Sequence, residues 1–292
     1  MIHSRYLAPE TLEDLLTALQ HYGQESKVIA GGTDLIPQMR CMILSPRILI
    51  DPIHLPLAGI SESNGDICLG ARFTHSQVLD SQFLKKEYPA LVSACQQIGG
   101  PPVRNRGTLA GNLANASPAA DSALPLLIYD AQIVATRFNG ERKIPLNEFY
   151  LAPSKTKLAS DEFIREIRIP KMPPRTVSVF LKLGNRKAMA IAVASVALRL
   201  SLDEMGSVSQ ARIALGSVAP TPLRAYQAEA FLLSNPLDED AILHTAQAAQ
   251  QAASPITDLR ASSDYRSQMV AVLTRRALDM ICKAMALGYT NE

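Results

Sequence analysis

Residues 104–127 read RNRGTLAGNLANASPAADSALPLL, from Arg104 to Leu127. They sit in a longer span, 99–123, so rich in small and polar residues that it resists reading as regular structure. Loops this long inside compact domains tend to carry function. Gly107-Thr108-Leu109-Ala110-Gly111-Asn112 offers backbone donors, a hydroxyl and, with Asn115, two side-chain amides. Asp121 follows and can accept from ribose or ring N–H groups, although a single aspartate also serves as an Asx turn or a cap.

A second glycine loop lies upstream. Ala30-Gly31-Gly32-Thr33-Asp34 joins a short strand at 27–30 to the apolar Leu35-Ile36. Glycine admits positive φ and close backbone approach to a ligand. Successive N–H groups in such a turn form a nest for phosphate oxygens. The same two-glycine loop also serves as a plain strand-to-helix turn. Neither GxGxxG nor GxxxxGK[ST] occurs, so a nucleotide here is held in some other way. Two small-residue loops with polar termini suggest two clamps on one extended ligand.

The rest of the chain frames these loops. Thr11 caps a helix in which Leu12, Leu15, Leu16 and Leu19 share one face, and Gly23 ends it. Further strands are expected at 47–50, 67–71, 132–136 and 163–169, with a hairpin turn at Ser63-Asn64-Gly65-Asp66 and a helix at 90–98. Pro170, Pro173 and Pro174 mark a domain boundary. Beyond them come strands at 177–183, 191–200 and 211–218, then helices at 225–233, 238–253 and 265–287. The apolar stretch 189–200 reads as a buried strand.

The 292 residues suit about two domains. With 47% apolar residues the chain can build a sizeable core. A net charge of +2 argues against nucleic-acid binding by bulk electrostatics. No run of about 18 apolar residues is present, and the N-terminus lacks a signal-peptide stretch, so a cytoplasmic protein is expected. Cys41, Cys68, Cys95 and Cys282 are far apart and read as ordinary, mostly buried thiols, with no zinc or iron–sulfur motif. His3, His21, His54, His75 and His244 are scattered and read as surface or capping residues; no metal site is expected and no Ser-His-Asp order stands out.

AGGTDL near residue 30 and the 104–127 stretch together resemble the FAD-binding medium subunit of molybdenum hydroxylases, the xanthine dehydrogenase and carbon monoxide dehydrogenase family. The resemblance continues through DEFIREIRIP at 161–170, ARIALGSVAPTP at 211–222 and the 258–278 segment, so it covers nearly the whole chain. It implies an α+β fold: a two-subdomain FAD-binding domain of the vanillyl-alcohol-oxidase type over 1–174, split near residue 55, then a small C-terminal domain over 175–292 with a three-stranded antiparallel sheet and helices. It implies that Val28, Ile29, Ala30, Gly31, Gly32, Thr33, Asp34 and Leu35 form one clamp on a non-covalent FAD. Gly107, Thr108, Ala110, Gly111 and Asn112 form the other. Asn115, Asp121, Ile98, Ile164 and Lys182 match further cofactor-contacting positions. A lysine near the flavin stabilises negative charge on the reduced ring. The chain departs from the family pattern at Ala110, where two adjacent glycines are usual, and at Ala190, where relatives often carry Asp. Alanine fits with negative φ; positive φ would cost about 1–2 kcal/mol.

The implied role is electron transfer. A molybdopterin-binding large subunit hydroxylates substrate, a small [2Fe–2S] subunit relays electrons, and the FAD of this oxidoreductase subunit passes them to NAD or another acceptor. A purine such as xanthine is the first substrate expected. A self-contained flavin oxidoreductase and an assembly module without FAD are the alternatives.

Overall fold

The computed structural model describes residues 4–287. The N-terminal part opens with β1 (Arg5–Leu7), α1 (Leu12–Tyr22), β2 (Ser26–Val28), α2 (Leu35–Arg40) and β3 (Ile48–Ile50). The three strands form a parallel sheet in the order β1-β3-β2. Thr11 accepts from the Asp14 N–H, and Gly23 ends the helix at φ 45°. Leu15, Leu16 and Leu19 bury the apolar face of α1.

Next come β4 (Ile60–Ser63), β5 (Asp66–Gly70), α3 (His75–Asp80), α4 (Gln82–Glu87), α5 (Pro89–Gln96), α6 (Pro101–Arg106), α7 (Leu109–Ala114) and α8 (Ala123–Ile128). They are followed by β6 (Gln132–Arg137), β7 (Gly140–Pro145), β8 (Tyr150–Ala152), β9 (Lys155–Thr156) and β10 (Phe163–Pro170). An antiparallel sheet runs β4-β5-β10-β6-β7. Asn64 and Gly65 both take positive φ, as the tight hairpin between β4 and β5 requires.

The C-terminal part holds β11 (Thr176–Gly184), β12 (Ala192–Leu202), β13 (Val208–Gly216), β14 (Leu223–Arg224), α9 (Tyr226–Ser234), α10 (Glu239–Ala252) and α11 (Ser263–Ala286). Its antiparallel sheet has the three expected long strands plus the two-residue β14 at the edge. Ten of the eleven residues of β12 are buried, because helices cover both faces of this central strand. Val196, Leu198 and Leu200 face one core with α9 and α11; Ala197 and Phe180 join the other, beneath α5 and α8.

Three expectations need correction. Residues 99–123 are not one irregular loop. Pro101 and Pro102 start α6, and the Thr108 side chain caps α7. The strand expected from residue 189 begins at Ala192; Met189 has φ 54° and, like Ile191, is exposed in a turn. Only Cys68 and Cys95 of the four free cysteines are buried, Cys41 being exposed at the C-cap of the short α2. Among the described residues, no helix is long and apolar enough to cross a membrane, and no group of three or more acidic, His or Cys side chains is placed to hold a metal.

Candidate cofactor site

The first glycine loop leaves the sheet at Ile29, whose N–H still bonds the Ile50 carbonyl at 2.9 Å. Gly32 then takes φ 69°, and α2 begins at Leu35. Within the described residues, the backbone N–H groups of Ala30, Gly31, Gly32, Thr33, Asp34 and Leu35 donate to no other group of the chain. A run of free amides suits an anion.

The second loop lies directly against the first. A Cβ on Gly31 would stand 2.6 Å from the Arg106 carbonyl carbon and 2.9 Å from the Gly107 Cα. Only glycine permits this approach of two backbones. Thr108 Oγ1 accepts from the Gly111 N–H at 3.0 Å, leaving the Thr108 and Ala110 amides without a partner in the chain. Ala110 lies inside α7, buried and outside the positive-φ set, so the family departure there costs no backbone strain. Gln38 spans the loops: its amide donates to the Asp34 carboxylate and lies 3.5 Å from Asn115 Oδ1.

The second loop is splinted from behind by residues 73–76. The Leu109 N–H donates to the Phe73 carbonyl (3.0 Å), the His75 N–H to the Gly107 carbonyl (3.0 Å), and Ser76 Oγ to Asn105 Oδ1 (2.5 Å). The T-H-S-Q capping box at Thr74 was readable as a helix start, but nothing in it signalled a contact with Gly107. His75 is also a correction: its ring is 2% exposed, packed in the core rather than on the surface. His244 is exposed near its own helix backbone, and His3 lies outside the described residues.

Asp121 and Lys182 form the charged centre. Alternation along β11 puts Ser178, Phe180 and Lys182 on the face packed against α5. Ser178 Oγ meets the Tyr129 hydroxyl at 2.6 Å, and Lys182 Nζ meets Asp121 Oδ2 at 2.5 Å. Both charged side chains are over nine-tenths buried. Lys182 also donates to the Gln97 carbonyl at 3.2 Å. Asp121 Oδ1 is buried without any partner. Burial pushes the Asp121 carboxyl up to about 6, against the pull of Lys182. Ser122 donates to Asn112 Oδ1 at 2.6 Å, which ties this centre to the second loop.

Lys182 opens onto a cleft of about 830 Å³ between residues 96–104 and 182–190. Arg104, Arg186 and Lys187 also line it, and no carboxylate does. Ile98, partly buried, stands beside this cleft without lining it, and its carbonyl accepts from Arg104 at 3.1 Å. Ile164 is 5% exposed in the core, at the β10 bulge, and has no place in the cleft wall. The two glycine loops thus meet, Ser122 ties the second loop to the Asp121–Lys182 centre, and Ile164 lies in the same buried cluster as Leu109 and Ala110 of the second loop. Gln38, Gln97, Arg104 and the 73–76 splint were not singled out from sequence.

Family models and solved structures match nearly the whole chain. Residues 2–172 match the family described as the FAD binding domain in molybdopterin dehydrogenase, and residues 179–281 match the CO dehydrogenase flavoprotein C-terminal domain. Alpha subunit of the 6-hydroxypseudooxynicotine dehydrogenase complex of Paenarthrobacter nicotinovorans is 32% identical over 94% of this chain and 92% of its own length. The xanthine dehydrogenase FAD-binding subunit of Escherichia coli O157:H7 is also 32% identical, over 94% of each chain. A chain of the carbon monoxide dehydrogenase from Hydrogenophaga pseudoflava, solved without the Mo-pyranopterin moiety, superposes with a TM-score of 0.91 at 34% identity, covering 95% of this chain and 96% of that one.

Proposed function

The chain belongs to the family of FAD-binding medium subunits of molybdenum hydroxylases, and from that premise we propose that it carries electrons from the [2Fe–2S] centres of a small partner subunit to NAD or another acceptor. As a member of that family it is an oxidoreductase subunit whose substrate chemistry lies on partner chains. We place its division into a cofactor domain and a C-terminal domain at 174/175. A xanthine-type purine, oxidised at molybdenum in a large partner, is the substrate we would try first.

The observation that carries this reading is the run of six free backbone amides at 30–35, set against the free Thr108 and Ala110 amides by the Gly31–Gly107 contact. A pyrophosphate needs donors of this kind from two sides. Neither loop contains His or Cys, so neither offers a nucleophile for a covalent flavin linkage. The orphaned Asp121 Oδ1 is a buried acceptor that a hydroxyl or ring N–H can satisfy. Bound FAD supplies a centre that exchanges electrons with one-electron and two-electron partners. Lys182 keeps a buried cation beside the cleft, and Asp121 offsets that charge, so the pair sets how much negative charge the site tolerates. The Gln97 carbonyl fixes the ammonium in place.

The test is co-expression with a molybdopterin-binding large subunit and a two-cluster small subunit. Acceptor reduction is measured with xanthine, then with aldehydes. The isolated chain should be yellow but inactive toward these substrates. A metal-free single chain that oxidises one of them at the full rate would favour the self-contained oxidoreductase instead.

A further inference from the structure

The second glycine loop is held by more than its own residues. His75 lies at the start of α3, Cys95 near the end of α5, and Gly107 at the end of α6. Beside the backbone tie from the His75 N–H to the Gly107 carbonyl, the ring itself packs on the glycine. A Cβ on Gly107 would stand 3.1 Å from His75 Cδ2 and 3.5 Å from Nε2, with the Val103 carbonyl oxygen at 3.0 Å. The imidazole therefore occupies the space that any side chain at Gly107 would need.

The ring is also oriented. Cys95 Sγ lies 3.5 Å from His75 Nδ1, and both residues are buried. Burial, with the Asp121 carboxylate nearby, pushes the Cys95 thiol up, so sulfur keeps its proton. Burial and then the Arg104 charge lower His75 to about 4, so the imidazole is neutral at pH 7. The contact through Nδ1 turns the opposite edge of the ring, Cδ2 and Nε2, toward Gly107.

We propose that His75 is a positioning residue for the second clamp: its ring, oriented by Cys95, fixes the Gly107 turn that presents the Thr108 and Ala110 amides to the FAD phosphates. This rests on the reading of the two loops as a pyrophosphate clamp. His75 acts through Gly107.

The test is a double-substitution cycle on the full chain reconstituted with FAD, with His75→Ala, Gly107→Ala and both together. Each single change should raise the FAD Kd by at least about tenfold, because a misplaced contact of this size costs up to about a hundredfold. It should also shift the phosphorus resonances of bound FAD, which a packing defect remote from the clamp would leave alone. The double variant should bind more tightly than the product of the two single losses, since removing the ring makes room for the new methyl. His75→Gln, which refills the space with a neutral amide, should recover most of the affinity. Strictly multiplicative losses, or wild-type affinity in His75→Ala, would overturn the proposal. If His75→Ala does not fold, Gly107→Ala and His75→Gln decide: equal tenfold losses in both would overturn it, and a loss confined to Gly107→Ala supports it. A wild-type chain that takes up no FAD would instead refute the clamp reading itself.

Discussion

Gly31→Ala is the sharpest test of the two-loop clamp. The new methyl would stand 2.6 Å from the Arg106 carbonyl carbon and 2.9 Å from the Gly107 Cα, where ordinary contacts begin at 3.4 Å. Both neighbours are backbone, so no rotamer change relieves the clash. The loops must part by about 1 Å, and overpacking of this kind costs about 1–3 kcal/mol. The displacement falls on the joint between the two sets of free amides, so FAD should be hit harder than the fold. An expected rise in FAD Kd of about a hundredfold corresponds to about 2.7 kcal/mol. Gly32→Ala is the control. Its φ of 69° brings strain of about 1–2 kcal/mol, but its new methyl meets only flexible Ile side chains, the nearest atom at 3.3 Å. Titration of apo-protein with FAD, followed by flavin fluorescence, and thermal denaturation of the apo form separate the two costs. Gly31→Ala with wild-type FAD affinity would refute the argument that the loop contact shapes the clamp. So would Gly32→Ala losing more flavin than Gly31→Ala.

Three further outcomes are expected. Lys182→Met leaves the Asp121 carboxylate buried and alone, which should cost about 3–5 kcal/mol at neutral pH and be largely recovered by adding Asp121→Asn. Because burial raises Asp121 from 3.8 to about 6 in the folded chain, its linked stability is fully present below the unfolded value and lost as pH rises through 6; thermal denaturation of wild type against Asp121→Asn should show the difference growing over that window, and a flat difference would exclude it. Acid precipitation of the holoprotein should release all yellow colour into the supernatant, whereas colour kept in the pellet would mean a covalent flavin.

The parts of this architecture that local chemistry determines were legible from residues alone. The leucine spacing and Thr11 cap specified α1, and Asn64-Gly65 specified the hairpin. Residues 99–123 were harder because α6 and α7 are six residues each. Helices this short show no amphipathic period; they depend on two prolines, one threonine cap and the splint behind them. β7 escaped notice for a different reason: its sequence, GERKIP, buries only Ile144, so no apolar alternation marks it.

The candidate site shows the same limit more sharply. Each glycine loop looked like a turn with an anion-binding option, and no local property could decide between the two. What decides is tertiary. Gly31 meets the Arg106–Gly107 backbone, and β11 alternation carries Lys182 onto Asp121. His75 reads as an unremarkable residue after a capping threonine, but it stands in the one space that Gly107 leaves open. A glycine is informative about function when something fills the place of its missing side chain. At Gly31 that something is the other loop, and at Gly107 it is a neutral imidazole. Substitutions at these two glycines should therefore act on the cofactor before they act on the fold.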